Sequence, residues 1–202
     1  MVGVSAMGPG GHVHAGFEGK LPSRGDFVAR GLPESFLAPW RGWMDGALSA
    51  ARAALAGRWQ SVWMEAPVWH FVLGGGVCGP DAVMGLWFPS VDQAGRHYPL
   101  TAAAVLEGRA AAPAIEAASA WLQAVEAPAL DALAMDHAPD TLLAAIQAVP
   151  IADSRAVPAG ASRGGWWWTD GAPLVPGVCL RMDALPDPPV FIRMLDAGYE
   201  PA

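Results

Sequence analysis

The residues best suited to chemistry are few, and most fall in two short stretches. The first, Gly16 to Phe27 (GFEGKLPSRGDF), holds Lys20, the only lysine of the chain, with Ser23, Arg24 and Asp26 close behind and Phe27 at its end. The second, PSVDQAGRHYP, offers Ser90, Asp92, Arg96 and Tyr98. Glycines, a proline and both signs of charge read as a strand end (Val13, Ala15, Phe17) running into a shaped loop. Charge fixed on a rigid turn needs little ordering when it binds, so such a loop reads as a recognition feature. Arg24 and Arg96 would each cost several kcal/mol if buried unpaired, so they are expected to be exposed or matched across the two loops, Asp26 with Arg96 or Arg24 with Asp92. An exposed pair contributes only about 0–1 kcal/mol, too little to need four charged residues, and interface and anchor both stay open as roles for the loops.

Catalytic chemistry finds less support. Cys78 with His70 can be drawn as a nucleophile and base of a small cytoplasmic hydrolase or thiol enzyme, but a glycine turn between them leaves their geometry unfixed. The chain has no Gly-x-Ser-x-Gly elbow, metal-ligand cluster or CxxC, so no catalytic residue, metal or cofactor is assigned. Gly74-Gly75-Gly76 lacks the Gly-Lys-Ser/Thr ending of a phosphate loop and reads as a hairpin connection. His12 and His14 flank Val13 without a third ligand and read as polar residues at a strand edge. Arg24-Gly25-Asp26 spells an integrin tripeptide, a coincidence in a chain not expected to be secreted.

Composition bounds the rest. At 202 residues one domain is the simplest reading (12–198, after a flexible glycine-rich lead-in at 1–11), long enough to bury about 70% of its unfolded surface. Twelve basic against nineteen acidic residues, with the arginines scattered singly, give no basic stripe for nucleic acid. No apolar run is long enough for a membrane span, and MVGVSAMGPGGHVH has neither the basic nor the apolar region of a secretory signal. Two cysteines, Cys78 and Cys179, are no disulfide framework and read as reduced thiols of a cytoplasmic protein.

The elements that must position the two stretches follow from periodicity. Pro33 to Leu37 reads as a short helical turn, with a bend near Ala38 and a long helix from Pro39 to about Ala56, closed by Gly57. Trp40, Trp43, Met44, Ala47, Leu48, Ala51, Ala54 and Leu55 make its apolar stripe, with Arg41, Asp45, Ser49 and Arg52 opposite. From Trp59 to Thr101 the period changes, and PVWHFVL, AVMGLWFPSVD and QAGRHYPLTAAAVL, separated by glycine-rich turns, read as an antiparallel meander. Residues 113 to 148 return to helix, cut by Pro128 and Pro139 into about three short pieces. Trp166–Thr169 and Val178–Met182 read as two strands joined at Asp170-Gly171, and Pro186 opens a last short helix with Val190, Phe191, Met194 and Leu195 inward.

Four stretches then converge on one family. GKLPSRGDF with GLPESFLAPW, APVWHFVLGGGVCGP, PSVDQAGRHYPLT and WWWTDG occur in the order found in TagF, the ImpM-like accessory proteins of bacterial type VI secretion, and the chain resembles that family over about residues 14 to 195. The resemblance implies a three-layer α-β-α sandwich with a mixed, largely antiparallel central sheet. It also implies a cytoplasmic, non-enzymatic regulator that represses assembly of the secretion machine after translation. Its implied partners are the forkhead-associated scaffold protein and membrane-complex components, with no membrane insertion of its own. The chain departs from the family's pattern at Glu18, which puts a carboxylate two residues from Lys20 and is expected to weaken the loop's positive character, and at His97, which precedes Tyr98 where an aromatic pair is common.

Overall fold

The structure is a computed structural model that describes residues 11–22, 24–135, 137–151, 158–159 and 164–200, so the lead-in before Gly11 lies outside it. Seven strands are present: β1 (Val13–Gly19), β2 (Val28–Arg30), β3 (Trp69–Leu73), β4 (Ala82–Phe88), β5 (Leu100–Leu106), β6 (Gly165–Ala172) and β7 (Val175–Met182). They form one sheet in the order β2-β1-β5-β4-β3-β6-β7. Every neighbouring pair is antiparallel, so the sheet is not mixed. The expected meander is its centre, β3-β4-β5, and all three strands are buried along their full length because helices cover both faces.

Helices α1 (Glu34–Leu55), α2 (Trp59–Glu65) and α5 (Pro188–Leu195) cover one face, packing Phe36, Trp40, Met44, Trp63 and Phe191 against Phe71, Trp87 and Trp167. Helices α3 (Ile115–Ala134) and α4 (Pro139–Ala148) cover the other, packing Trp121, Leu122, Val125, Leu142 and Ile146 against Phe17, Val72, Met84 and Leu86. The three-layer sandwich is therefore present, with at least the five strands and two helical layers that the alternating periods require.

Two prolines expected to break helices do not. Pro39 lies inside α1, which runs unbroken from Glu34, and Pro128 lies inside α3. A helix-interior proline costs about 3 kcal/mol, but each of these interrupts a buried stripe that continues on both sides: Phe36, Leu37, Trp40 and Met44 in α1, and Leu122, Val125, Ala129 and Ala132 in α3. Burying one large side chain fully contributes about 1.5–3 kcal/mol, so the continuous stripe wins. The Ser35 carbonyl that Pro39 cannot bond is met closely by the loop after β3. A Cβ at Gly79, whose φ is +98°, would sit 2.4 Å from that oxygen.

Smaller differences concern turns. WQSVWME is helical (α2) rather than the start of the strand region, following a left-handed residue at Ala56 (φ 44°) and a 3₁₀ turn at Ala56–Arg58. The β6–β7 hairpin extends past Asp170-Gly171: Gly171 faces Pro176 and Ala172 faces Val175, leaving Pro173-Leu174 as the turn. α5 begins at Pro188 rather than Pro186, because the Asp187 carboxylate accepts a hydrogen bond from the Val190 N–H at 2.9 Å and caps it.

Candidate functional site

The two polar stretches leave the same edge of the sheet side by side. The first is the loop between β1 and β2, and the second is the loop between β4 and β5. β1 pairs with β5 in a register that sets Gly19 opposite Leu100, so the two loops start from adjacent strand ends. Gly19 makes that approach possible: its φ is +138°, and a Cβ there would lie 2.1 Å from the Pro99 carbonyl oxygen.

Asp92 is the centre of the arrangement. Its side chain is fully buried, and its Oδ2 accepts from Lys20 Nζ at 2.7 Å and from Arg96 Nε at 2.7 Å. Its Oδ1 accepts from the backbone N–H groups of Ala94 (2.9 Å) and Arg96 (2.8 Å), the pattern of an aspartate folding its own turn. Burial alone would raise this carboxyl. The bonds from Lys20 and from the backbone and side chain of Arg96 outweigh it and hold the group well below the usual carboxylate range. Backbone bonds reinforce the junction. Ser90 Oγ donates to the Lys20 carbonyl at 2.7 Å, the Gln93 N–H donates to the Arg24 carbonyl at 3.1 Å, and Arg96 Nη2 donates to the Gly25 carbonyl.

A second buried carboxylate lies alongside. Glu18 accepts from Arg41 Nε at 3.0 Å and from the Tyr98 hydroxyl at 3.2 Å. Burial raises its pKa, and Arg41 and Tyr98 only partly offset that. Burial, reinforced by the nearby Glu18 charge, pushes the Tyr98 phenol up as well. Glu18 therefore does not draw on Lys20: its charge is taken up by α1 and Tyr98. At the departure next to Tyr98, His97 Nδ1 is 3.0 Å from Trp59 Nε1, its carbonyl accepts from Arg52 Nη2 at 2.7 Å, and its pKa is lowered by burial and then by the charges of Arg52 and Lys20.

The structure divides the sequence-predicted site residues. Lys20, Ser90, Asp92 and Tyr98 are buried and hold the loops together. Arg24, Asp26 and Phe27 are exposed, and the Arg96 guanidinium reaches solvent while its Nε is held by Asp92. Ser23 lies outside the described residues. The expected pairs differ: Arg96 bonds Asp92 within its own loop, Lys20 makes the cross-loop bond, and neither Arg24 nor Asp26 forms an ion pair among the described residues. Phe27, 53% exposed, stands edge-on to Tyr98 at 4.5 Å with Lys20 Nζ 5.1 Å from its ring centre, so an aromatic face is held outward over the lock.

The chain matches the TagF N-terminal domain, a Type VI secretion system-associated family, over residues 16–149. It belongs to the TagF family. A solved structure agrees: PA0076 from Pseudomonas aeruginosa PAO1, known from a crystal structure at 2.05 Å resolution, is 28% identical, with a TM-score of 0.78 over 93% of this chain and 96% of that one. No curated protein matches. The family match holds both polar loops and the strands that carry them, while β6, β7 and α5 lie beyond it and are included in the likeness to PA0076 only through its 93% coverage.

Sequence reasoning placed Arg41 and Arg52 on the polar side of the helix but missed that they tie it to the Glu18 and His97 ends of the two loops. Their signal was present in the helical spacing that sets both on the polar side of the tryptophan stripe.

Proposed function

We propose that this chain is a non-enzymatic accessory regulator of the bacterial type VI secretion system. It works in the cytoplasm and represses assembly of the machine after translation by binding the forkhead-associated scaffold protein. Membership of a Type VI secretion system-associated family supports the setting. The observation that carries the binding role is the internal lock: buried Lys20 and Asp92 pair beneath the surface and Arg96 bonds Asp92 from the solvent side, so Arg24, Asp26 and Phe27 are displayed on a backbone already fixed. A surface ordered beforehand binds without the ordering cost a mobile loop would incur.

The thiol-enzyme reading has no geometry behind it. Cys78 lies in the core beneath α1, and burial pushes its thiol up to about 12. His70 faces the other side of the sheet, in register with Leu86, and bonds Glu126 of α3 at 2.7 Å. The sheet separates the two. Among the described residues no helix is long and apolar enough to cross a membrane.

The test is Arg24→Glu, with melting temperature and affinity for purified scaffold measured on one preparation. Arg24 is exposed and forms no ion pair among the described residues, so stability should stay within about 0.5 kcal/mol, while affinity falls about tenfold or more. Unchanged affinity in a stable Arg24→Glu, Phe27→Ala double variant would remove this surface and leave the exposed face of α1 around Arg41 and Asp45 as the next candidate.

A further inference from the structure

Two cavities adjoin the displayed loop and share Phe27 as a wall. The first, about 350 Å³, lies between the loops and α1 and is lined by Lys20, Arg52 and Arg96. The second, about 360 Å³, lies between the β1–β2 loop, β2 and the start of α4, and is lined by Arg24 and Arg30. Five of the chain's twelve basic residues and two of its nineteen acidic ones, Asp45 and Asp140, line these cavities. In a chain of net charge −7 this is a local reversal of sign. The buried Asp92 carboxylate, bonded to Lys20 and Arg96, and the exposed Asp26 next to Phe27 in the chain temper it.

We infer that the strip Arg52–Lys20–Phe27–Arg24–Arg30 receives an acidic segment of a protein partner, its carboxylates entering the two cavities while an apolar side chain between them packs on Phe27. The inference rests on the partner-binding reading of these loops and adds the chemistry of what binds. Charge complementarity selects the anion, and the half-exposed aromatic ring selects a polypeptide over a free ion.

The cations also select carboxylates over a phosphoryl group. Each of four already gives hydrogen bonds inside the protein: Lys20 to Asp92, Arg96 to Asp92 and Gly25, Arg52 to His97, and Arg30 to Asp140 and the Ala29 carbonyl. They are divided between two cavities and Lys20 is itself buried, so the outward positive charge is spread along the strip rather than gathered at one point. That suits monoanions spread along a chain better than one concentrated dianion, which the Asp45 and Asp140 carboxylates in the walls would repel.

The experiment titrates the full chain into a fluorescein-labelled Glu-rich peptide with one central Leu, beside counterparts with Gln for Glu, phosphoserine for Glu, and Ala for Leu. The Glu peptide should bind at least about tenfold more tightly than the Gln peptide at low salt and weaken as salt is raised. Arg24→Glu should abolish the preference, and Arg193→Glu on α5, which packs on β7 at the other edge of the sheet from β2, should leave it intact. Phe27→Ala should weaken the Leu peptide but not the Ala one, which keeps the test open if one variant folds poorly. Equal binding of Glu and Gln peptides, or an effect of Arg193→Glu as large as that of Arg24→Glu, would overturn the inference. Preference for the phosphoserine peptide with none for Glu would overturn the carboxylate assignment. Purified scaffold distinguishes the two claims. If it binds but the Glu peptide neither binds nor competes, the acidic-segment inference fails while the scaffold reading stands. If the Glu peptide binds and the scaffold does not, the reverse holds.

Discussion

Asp92 and Glu18 are both buried carboxylates beneath the same pair of loops, yet their pKa values move in opposite directions. Asp92 gathers four donors: an ammonium, a guanidinium and two backbone N–H groups. Glu18 has one guanidinium and one phenol. Desolvation is the largest influence on each, yet only Asp92 has enough donors to bring its pKa below the ordinary value. The lesson is that burial does not set the role of a carboxylate; the number of donors does. Asp92 is an ionised strut that joins two loops, while Glu18, with fewer donors, ties β1 to Arg41 of α1 and to Tyr98 and has its pKa raised by burial.

Removing the strut should have the largest effect. Asp92→Ala leaves the Lys20 ammonium buried with no counter-ion and unties the turn that ends at Arg96, and truncating one partner of a buried pair is strongly destabilising. The melting temperature should fall on the order of 10 °C. Adding Lys20→Met to that variant should recover part of the loss, because the stranded charge is then gone. Calorimetry of the wild type and these variants decides it; a fall under about 2 °C in Asp92→Ala would show that the loops are held by backbone bonds alone.

Glu18→Gln should be mild by contrast, within about 1 kcal/mol at neutral pH, since Gln keeps an acceptor for Tyr98 and Arg41 reaches solvent. The pH dependence separates the two carboxylates more sharply. Glu18 is raised when folded, so its stabilising contribution is complete below its ordinary value of 4.5 and is lost as pH rises through the folded pKa. Asp92 is lowered, so its contribution is present above its ordinary value of 3.8 and is lost as pH falls through the folded pKa. Gln does not titrate, so Glu18→Gln should gain on the wild type as pH rises from about 4 to about 7. Melting curves across that range that stay parallel would contradict the raised pKa.

How much of this could be read from sequence depended on whether a signal was local. The α1 stripe, the central meander and the β6–β7 hairpin each repeat a period within a few residues, and Trp40, Met44, Phe71 and Trp87 are buried where those periods put them. Pro39 and Pro128 misled because a local breaker was weighed above an apolar stripe that continues past it. The two loops were legible as the polar focus of the chain, since charge, glycine and proline concentrate there. Their wiring was not: Lys20 and Asp92 are 72 positions apart, and among several opposite charges only the strand register settles which meet. One local clue was available. An aspartate four residues before an arginine with Gly95 between them forms a self-bonded turn, which engages Asp92 with Arg96 and leaves Arg24 without it.

The smallest expected effect marks the outer limit of the comparison. Arg30 of β2 and Asp140 of α4 also form an ion pair that joins two elements near these loops, at 3.4 Å, but their side chains are 49% and 86% exposed. Water already solvates both charges, so the pair gains little and leaves nothing stranded when it is broken. Asp140→Asn should therefore move the melting temperature by less than about 2 °C, and the small difference should shrink further in high salt. The effect of Asp92→Ala should be nearly independent of salt, because ions do not reach the buried pair. A large, salt-insensitive loss in Asp140→Asn would mean that β2 is clamped to α4 as firmly as the loops are clamped to each other. The rigid surface would then extend from the Lys20–Asp92 junction across β2, and the clamp at Arg30 would have to be counted as part of what presents Phe27.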